Sequence, residues 1–221
     1  MGEGQKKHMN RVKKTSLSTR LHIAAHILSL LPLALLILAA LQGNLGFNPV
    51  ETVLRWTGRI AVILLLLSLA CTPVKKIFKI AEIGRLRKPL GLYAALYAVL
   101  HFGVFAIWDY QLSLALIWNE ITTKPFIIFG AIALVILLIL AATSFKKLQR
   151  KMGKTWVWLH RLVYVAGLLV VVHYFLSIKG DIFNFQGDYA LPVIALIIVS
   201  LLLMVRIPAT YRFLSGRENQ E

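Results

Sequence analysis

The chain has 221 residues, 58% of them hydrophobic and 15% charged, with a mean hydropathy of +0.74. A soluble domain of this size carries about 25% charged residues, so the composition excludes an ordinary soluble enzyme. The net charge of +16 does not indicate nucleic acid. The basic residues lie between apolar blocks, where they set membrane topology and attract an anionic leaflet.

In chain order, the first twenty residues are polar and basic, with Lys6, Lys7, Arg11, Lys13, Lys14 and Arg20. A signal peptide also starts basic, but its apolar region runs to only about 7–15 residues. Leu21–Leu41 is longer and lacks a small-x-small cleavage pattern after it, so it reads as an uncleaved first span. Five more runs of membrane-spanning length follow: Thr57–Val74, Pro89–Trp108, Pro125–Thr143, Trp156–Ile178 and Ala190–Ile207. Each approaches the ~20 residues that a helix rising 1.5 Å per residue needs to cross hydrocarbon. Pro89 and Pro125 are expected to open the third and fourth helices, where a missing N–H is harmless. The expected fold is therefore an all-α, six-helix polytopic membrane bundle. It occupies residues 21–207, between a basic tail (1–20) and a C-terminal tail (208–221). Cys71 is the only cysteine, which excludes an internal disulfide and a CxxC zinc framework. It reads as small apolar filler. No GxGxxG follows a strand, no Walker loop is present, and no internal repeat is evident.

The connecting segments alternate in charge. Twenty of the 25 Lys and Arg residues fall in the N-terminal tail, after the second span, after the fourth, and at the C-terminal end. The intervening segments hold Arg55, Arg59, Lys124 and Lys179 together with Glu51, Asp109, Glu120, Asp181 and Asp188. Positive-inside bias then places both termini in the cytoplasm. All five tryptophans (Trp56, Trp108, Trp118, Trp156, Trp158) stand at or near span ends, as an interfacial belt requires.

A histidine deep in an apolar span has no water to pair with and needs a hydrogen-bond partner or a metal. His8 lies in the basic tail and reads as solvated. His22 and His26 form an i, i+4 pair near the inner end of the first span, a spacing able to chelate a metal but ordinary at an interface. His101 lies about 18 Å from Pro89, and His173 about 25 Å from Trp156, by helix rise. Both fall in the outer half of spans running in the same direction, so they can face each other at similar depth. His160 is left alone near the inner end. Two imidazoles meeting across a bundle are what a low-spin haem iron takes as axial ligands. Gly91, Gly103 and Gly167 on the same helices are small enough to admit a flat macrocycle. The haem-free alternative is a hydrogen-bonded core pair or a proton relay. Thirteen residues is about 140° short of four turns, so His160 and His173 cannot share a face of one straight helix. A bend or a change of winding is required if both bind haem.

One histidine on the third span and two on the fifth, thirteen residues apart, resemble the ferric-reductase-type transmembrane domain, a six-helix haem fold. Further runs narrow the resemblance to the MsrQ (YedZ) family: Arg55-Trp56-Thr57-Gly58-Arg59, Thr72-Pro73-Val74-Lys75-Lys76, Arg87-Lys88-Pro89-Leu90-Gly91-Leu92, Leu159-His160-Arg161-Leu162-Val163-Tyr164 and His173-Tyr174. It covers roughly residues 20–205. It implies a bacterial inner-membrane protein that binds haem b, with FMN as a second cofactor. Electrons come from the quinone pool or a cytoplasmic flavin reductase. They pass to MsrP, a periplasmic molybdopterin enzyme that reduces methionine sulfoxide in proteins. That assignment makes the chain an electron-transfer subunit, with the chemistry on methionine sulfoxide done by the partner. The family's haem ligands carry over to His101, His160 and His173. Two departures stand out. The family's Arg-Pro-Tyr before the fourth span is Lys124-Pro125-Phe126 here. The wider family's fourth histidine, fourteen residues before His101, is replaced by Arg87. Arg87 is thus a candidate cofactor-binding residue, as a haem-propionate clamp or, in place of water, as the group opposite His160; the alternative is a plain topology charge. Guanidinium stays protonated and is a poor iron ligand. The alternatives left open are a transmembrane metal reductase on the same fold, or a haem-free small transporter.

Overall fold

In hydrocarbon every backbone N–H and C=O must be satisfied within the chain, so isolated apolar runs of this length become helices. The computed structural model describes residues 3–178 and 189–205, with side chains from Ser18 onward. His8, Lys179, Asp181, Asp188 and the tail 208–221 lie outside the described side chains. Among the described residues, α1 runs over Glu3–Leu41, α2 over Pro49–Ile77, and α3 over Ile83–Val104 with a π-helical turn at Phe105–Asp109. A short α4 (Leu114–Thr123) leads into α5 (Pro125–Ala142). Next come α6 (Lys146–Met152), α7 (Lys154–Leu159), α8 (Leu162–Leu176) and α9 (Ala190–Met204). Five segments are long and apolar enough to span a membrane, α7 and α8 counting as one, and α9 is a shorter apolar helix. The protein is a multi-pass membrane protein.

Several boundaries differ from the sequence expectation. The second span, expected over Thr57–Val74, belongs to a 29-residue helix capped at its start by the Asn48 side chain, which accepts from the Glu51 N–H. Helix α3 begins at Ile83, so Pro89 lies inside it and Arg87 is helical. Proline removes one backbone bond from a helix interior, but this turn is held from outside. Ser68 Oγ donates to the Arg87 carbonyl at 2.8 Å, and Lys88 Nζ donates to the Ser144 carbonyl at 2.7 Å. Pro125 does open α5. The fifth span is broken at His160 and Arg161, between α7 and α8. The break is a local change of winding, with Arg161 N–H bonded to the Trp158 carbonyl and Tyr164 N–H to the Arg161 carbonyl, one of the two departures the spacing calls for if both histidines bind haem. Upstream of it Gly153 adopts φ +54°, the left-handed turn that separates α6 from α7.

The core lies between two antiparallel helix pairs, α2 with α3 and α5 with α8. Leu65, Leu69, Ala94, Tyr97, Leu137 and Ala166 are buried in one cluster. Small residues at Ala94 and Ala166, both fully buried, let the backbones approach, which is how membrane helices gain packing without a hydrophobic driving force between them. Gly91 and Gly167 serve the same end. A Cβ at Gly91 would meet Ser68 Oγ at 3.2 Å, and one at Gly167 would meet Leu69 at 3.0 Å. Both are thus filled by neighbouring side chains, and of the three glycines Gly91, Gly103 and Gly167 only Gly103 has open space. The outer surface is apolar, with Ile27, Leu31, Leu35, Ile132, Val135 and Leu138 exposed, as lipid contact demands.

Candidate haem-binding site

His101 stands near the C-terminal end of α3 and His173 near that of α8, and their ring centres are 6.1 Å apart with planes at 85°. The neighbouring helices fix each ring. His101 Nδ1 lies 2.9 Å from the Leu54 carbonyl oxygen on α2. His173 Nδ1 lies 2.6 Å from the Phe126 carbonyl oxygen on α5. A carbonyl only accepts, so in both rings Nδ1 carries the proton and Nε2 holds the lone pair. This is the tautomer of a metal-ligating histidine whose second nitrogen is pinned by a backbone oxygen.

The separation fits a single metal between the rings. Two metal–nitrogen bonds of about 2.0–2.1 Å, plus about 1.1 Å from each nitrogen to its ring centre, sum to about 6.3 Å. Among the described residues no three His, Cys, Asp or Glu side chains converge. A metal held by this pair therefore takes its remaining ligands from a group that brings its own, as the nitrogens of a porphyrin do. The residues present fit a haem iron.

His160 belongs to a different level. Thirteen residues separate it from His173, about 20 Å at helical rise. Its ring stacks on Trp156 with centres 4.0 Å apart, and Nε2 lies 3.1 Å from Thr143 Oγ1. Thr143 Oγ1 gives its own proton to the Ile139 carbonyl at 2.7 Å, so it accepts from Nε2–H. Trp156 Nε1 donates to the Thr143 carbonyl at 3.0 Å and closes the group. His160 therefore presents its lone pair on Nδ1, the opposite tautomer from the other two. Arg87 shares this end of the bundle, since the adjacent Lys88 reaches Ser144 beside Thr143.

The remaining candidates are placed as follows. His26 Nδ1 lies 2.9 Å from the Tyr93 hydroxyl. His22 and His26 line an open groove of about 430 Å³ with Lys88, Pro89, Leu92, Tyr93 and Leu96. At the other end, Glu51 pairs with Arg55 at 2.7 Å and Glu120 with Lys124, which offsets part of the acidity expected of those loops. Burial pushes the Tyr110 hydroxyl up to about 12, and the Glu120 carboxylate beside it adds to the shift. The bond from Lys124 holds Glu120 below the usual carboxylate range.

Two residues at the site escape sequence reasoning. Gly58 and Gly130 lie directly against the His101 and His173 rings. Glycine is frequent in membrane helices, so neither position stands out until the rings are in place.

Comparison with known proteins shows the family. Residues 57–171 match the family model described as ferric reductase like transmembrane component. The chain is 41% identical over 184 residues to the protein-methionine-sulfoxide reductase heme-binding subunit MsrQ of Deinococcus radiodurans, covering 83% of this chain and 87% of that one. It is 37% identical over 201 residues to the subunit of the same name from Herminiimonas arsenicoxydans, covering 90% and 88%. A third, from Cronobacter sakazakii, is 37% identical over 162 residues, covering 73% and 81%.

Proposed function

Because the chain belongs to the ferric reductase like transmembrane family, and within it to the MsrQ heme-binding subunits, we propose that it is the haem b electron-transfer subunit of a methionine sulfoxide reductase system. It takes electrons from the quinone pool or a cytoplasmic flavin reductase and delivers them across the inner membrane. The acceptor is MsrP, a periplasmic molybdopterin-containing subunit that reduces methionine sulfoxide in proteins. Both termini face the cytoplasm, in line with the basic segments after α2 and after α5. The observation that carries the reading is the pair of imidazoles at 6.1 Å, each with Nδ1 bonded to a backbone carbonyl.

His101 and His173 hold the outer haem, which when bound supplies one-electron exchange at its iron. The Leu54 and Phe126 carbonyls keep each Nδ1 protonated and strengthen Nε2 as a ligand. Bis-imidazole ligation leaves the metal no open position, which suits electron transfer rather than binding of a substrate. His160 serves the inner level, with Arg87 as a propionate clamp there. The basic segments carrying Lys75, Lys76, Lys146 and Lys147 receive an FMN phosphate or an acidic donor protein. Among the outer acidic residues, Asp109 and Glu120 contribute to docking of the periplasmic partner.

Purified protein is expected to show a Soret band and a low-spin α-band at stoichiometric haem. No such bands at full reconstitution would remove the reading. The reduced protein is then mixed with oxidised molybdenum subunit or with an Fe(III) chelate. Faster reoxidation by the molybdenum subunit supports the proposal, and faster reoxidation by the chelate assigns the chain to metal reduction instead.

A further inference from the structure

The two histidine seats are built alike. A Cβ added to Gly58 would lie 3.0 Å from Nδ1 and 3.1 Å from Cε1 of His101. A Cβ added to Gly130 would lie 2.7 Å from Nδ1 and 2.9 Å from Cε1 of His173. In each case the carbonyl that takes the Nδ1 proton belongs to the residue four before the glycine, Leu54 or Phe126. The same edge of each ring therefore rests on a glycine, and its N–H reaches one turn back along the same helix.

These parts repeat at constant spacing. Leu54, Gly58 and His101 each stand 72 positions before Phe126, Gly130 and His173 (54 to 126, 58 to 130, 101 to 173). The same step takes Leu65 to Leu137 and Ala94 to Ala166, which are all buried in the shared core. A repeat that is not evident in the sequence is thus present in the helix pairs α2–α3 and α5–α8. Few side-chain identities mark it, because lipid-facing positions accept any apolar residue. What recurs is a glycine, a backbone oxygen and an imidazole.

We propose that Gly58 and Gly130 are positioning residues for the two imidazoles: each glycine, with the carbonyl one turn before it, fixes the ring plane and the Nε2 direction of one axial ligand. The inference rests on the haem reading above and adds to it the residues that orient the ligands. A methyl group at Gly130 cannot coexist with the present His173 ring, since real Cβ contacts essentially never fall below 3.0 Å. At Gly58 the ring must retreat by a few tenths of an ångström. Either displacement lengthens the Nδ1–carbonyl bond and turns Nε2. Leu138, exposed on the outer side of α5, serves as the control.

The test compares wild type with Gly58→Ala, Gly130→Ala and Leu138→Ala as purified full-length proteins. Haem content, reduction potential and the low-temperature EPR spectrum of the oxidised form are the readouts. Rings held near perpendicular, as the 85° between these planes requires, give a highly anisotropic low-spin signal. Parallel rings give a rhombic one. Wild type is expected to show the anisotropic signal, and Leu138→Ala to match it. Gly58→Ala and Gly130→Ala are expected to retain haem about 10-fold less tightly, the scale of loss when an orienting partner fails, or to shift both signal and potential. Wild-type spectra for Gly58→Ala and Gly130→Ala would overturn the proposal. A purely rhombic signal in wild type also overturns it and requires no variant to fold. A wild-type protein without any Soret band instead removes the haem reading itself.

Discussion

The backbone carbonyl of Phe126 accepts the Nδ1 proton of His173 across 2.6 Å, so the α5 residue that orients this histidine acts through its main chain. Lys124-Pro125-Phe126 stands where the family resemblance implies Arg-Pro-Tyr. The hydrogen bond survives that change because any residue supplies a carbonyl there. Phe126→Leu and Phe126→Tyr are accordingly expected to keep haem content and absorption maxima. A loss of haem in Phe126→Leu but not in Phe126→Tyr would show that the aromatic ring, 5.9 Å from His173, matters beside the carbonyl.

His101→Ala and His173→Ala are each expected to abolish the outer haem, since one imidazole alone does not complete the axial pair. Haem per chain, measured as the pyridine haemochrome, falls equally in both. His22→Ala is the control and leaves it unchanged. Retention of the outer haem in either substitution would break the pairing.

The inner level calls for a separate comparison. His160→Ala is expected to lower haem stoichiometry while leaving the spectrum of the outer pair intact. Thr143→Val removes the acceptor that holds Nε2–H of His160, a bond of about 1 kcal/mol, and frees the ring to turn. Arg87→Ala is expected to weaken inner haem retention without touching the outer site. One haem per chain, unchanged by Arg87→Ala, would argue against a cofactor role for Arg87.

Ala166 is fully buried where α8 meets the core. Ala166→Leu inserts a branched side chain with no space to receive it, and overpacking of this kind costs about 1–3 kcal/mol. Thermal unfolding in detergent should register the loss. The same substitution at Ala94 is expected to behave alike, given its equivalent place in the other helix pair.

Tyr110 lies just beyond the π-helical turn, and its hydroxyl is raised to about 12 by burial first and by Glu120 second. A raised folded-state value means that the folded protein holds this proton more tightly than the unfolded chain. The associated stability is fully present below the ordinary tyrosine value of about 10 and is lost as pH rises through 12. An ultraviolet titration should lose one late-ionising tyrosine in Tyr110→Phe.

The membrane helices were legible because hydrocarbon leaves the backbone one solution, and length with charge then marks most of the spans. Helix ends were harder to read. Pro89 looked like a start, yet Ser68 of α2 and the Ser144 carbonyl beyond α5 hold the turn around it. Pairing of His101 with His173 followed from depth alone, since both lie at similar rise on parallel spans. The sequence by itself thus determined an all-helical membrane bundle and two histidines at one level. Only the tertiary structure decided which nitrogen each ring presents, because the Leu54 and Phe126 carbonyls lie 47 positions away along the chain. For His160, already left alone near the inner end by its depth, it added a break in the helix and a threonine at the end of α5 that accepts from its Nε2–H. Tautomer and ring plane depend on contacts between helices, and hydropathy and spacing along one helix carry no record of them.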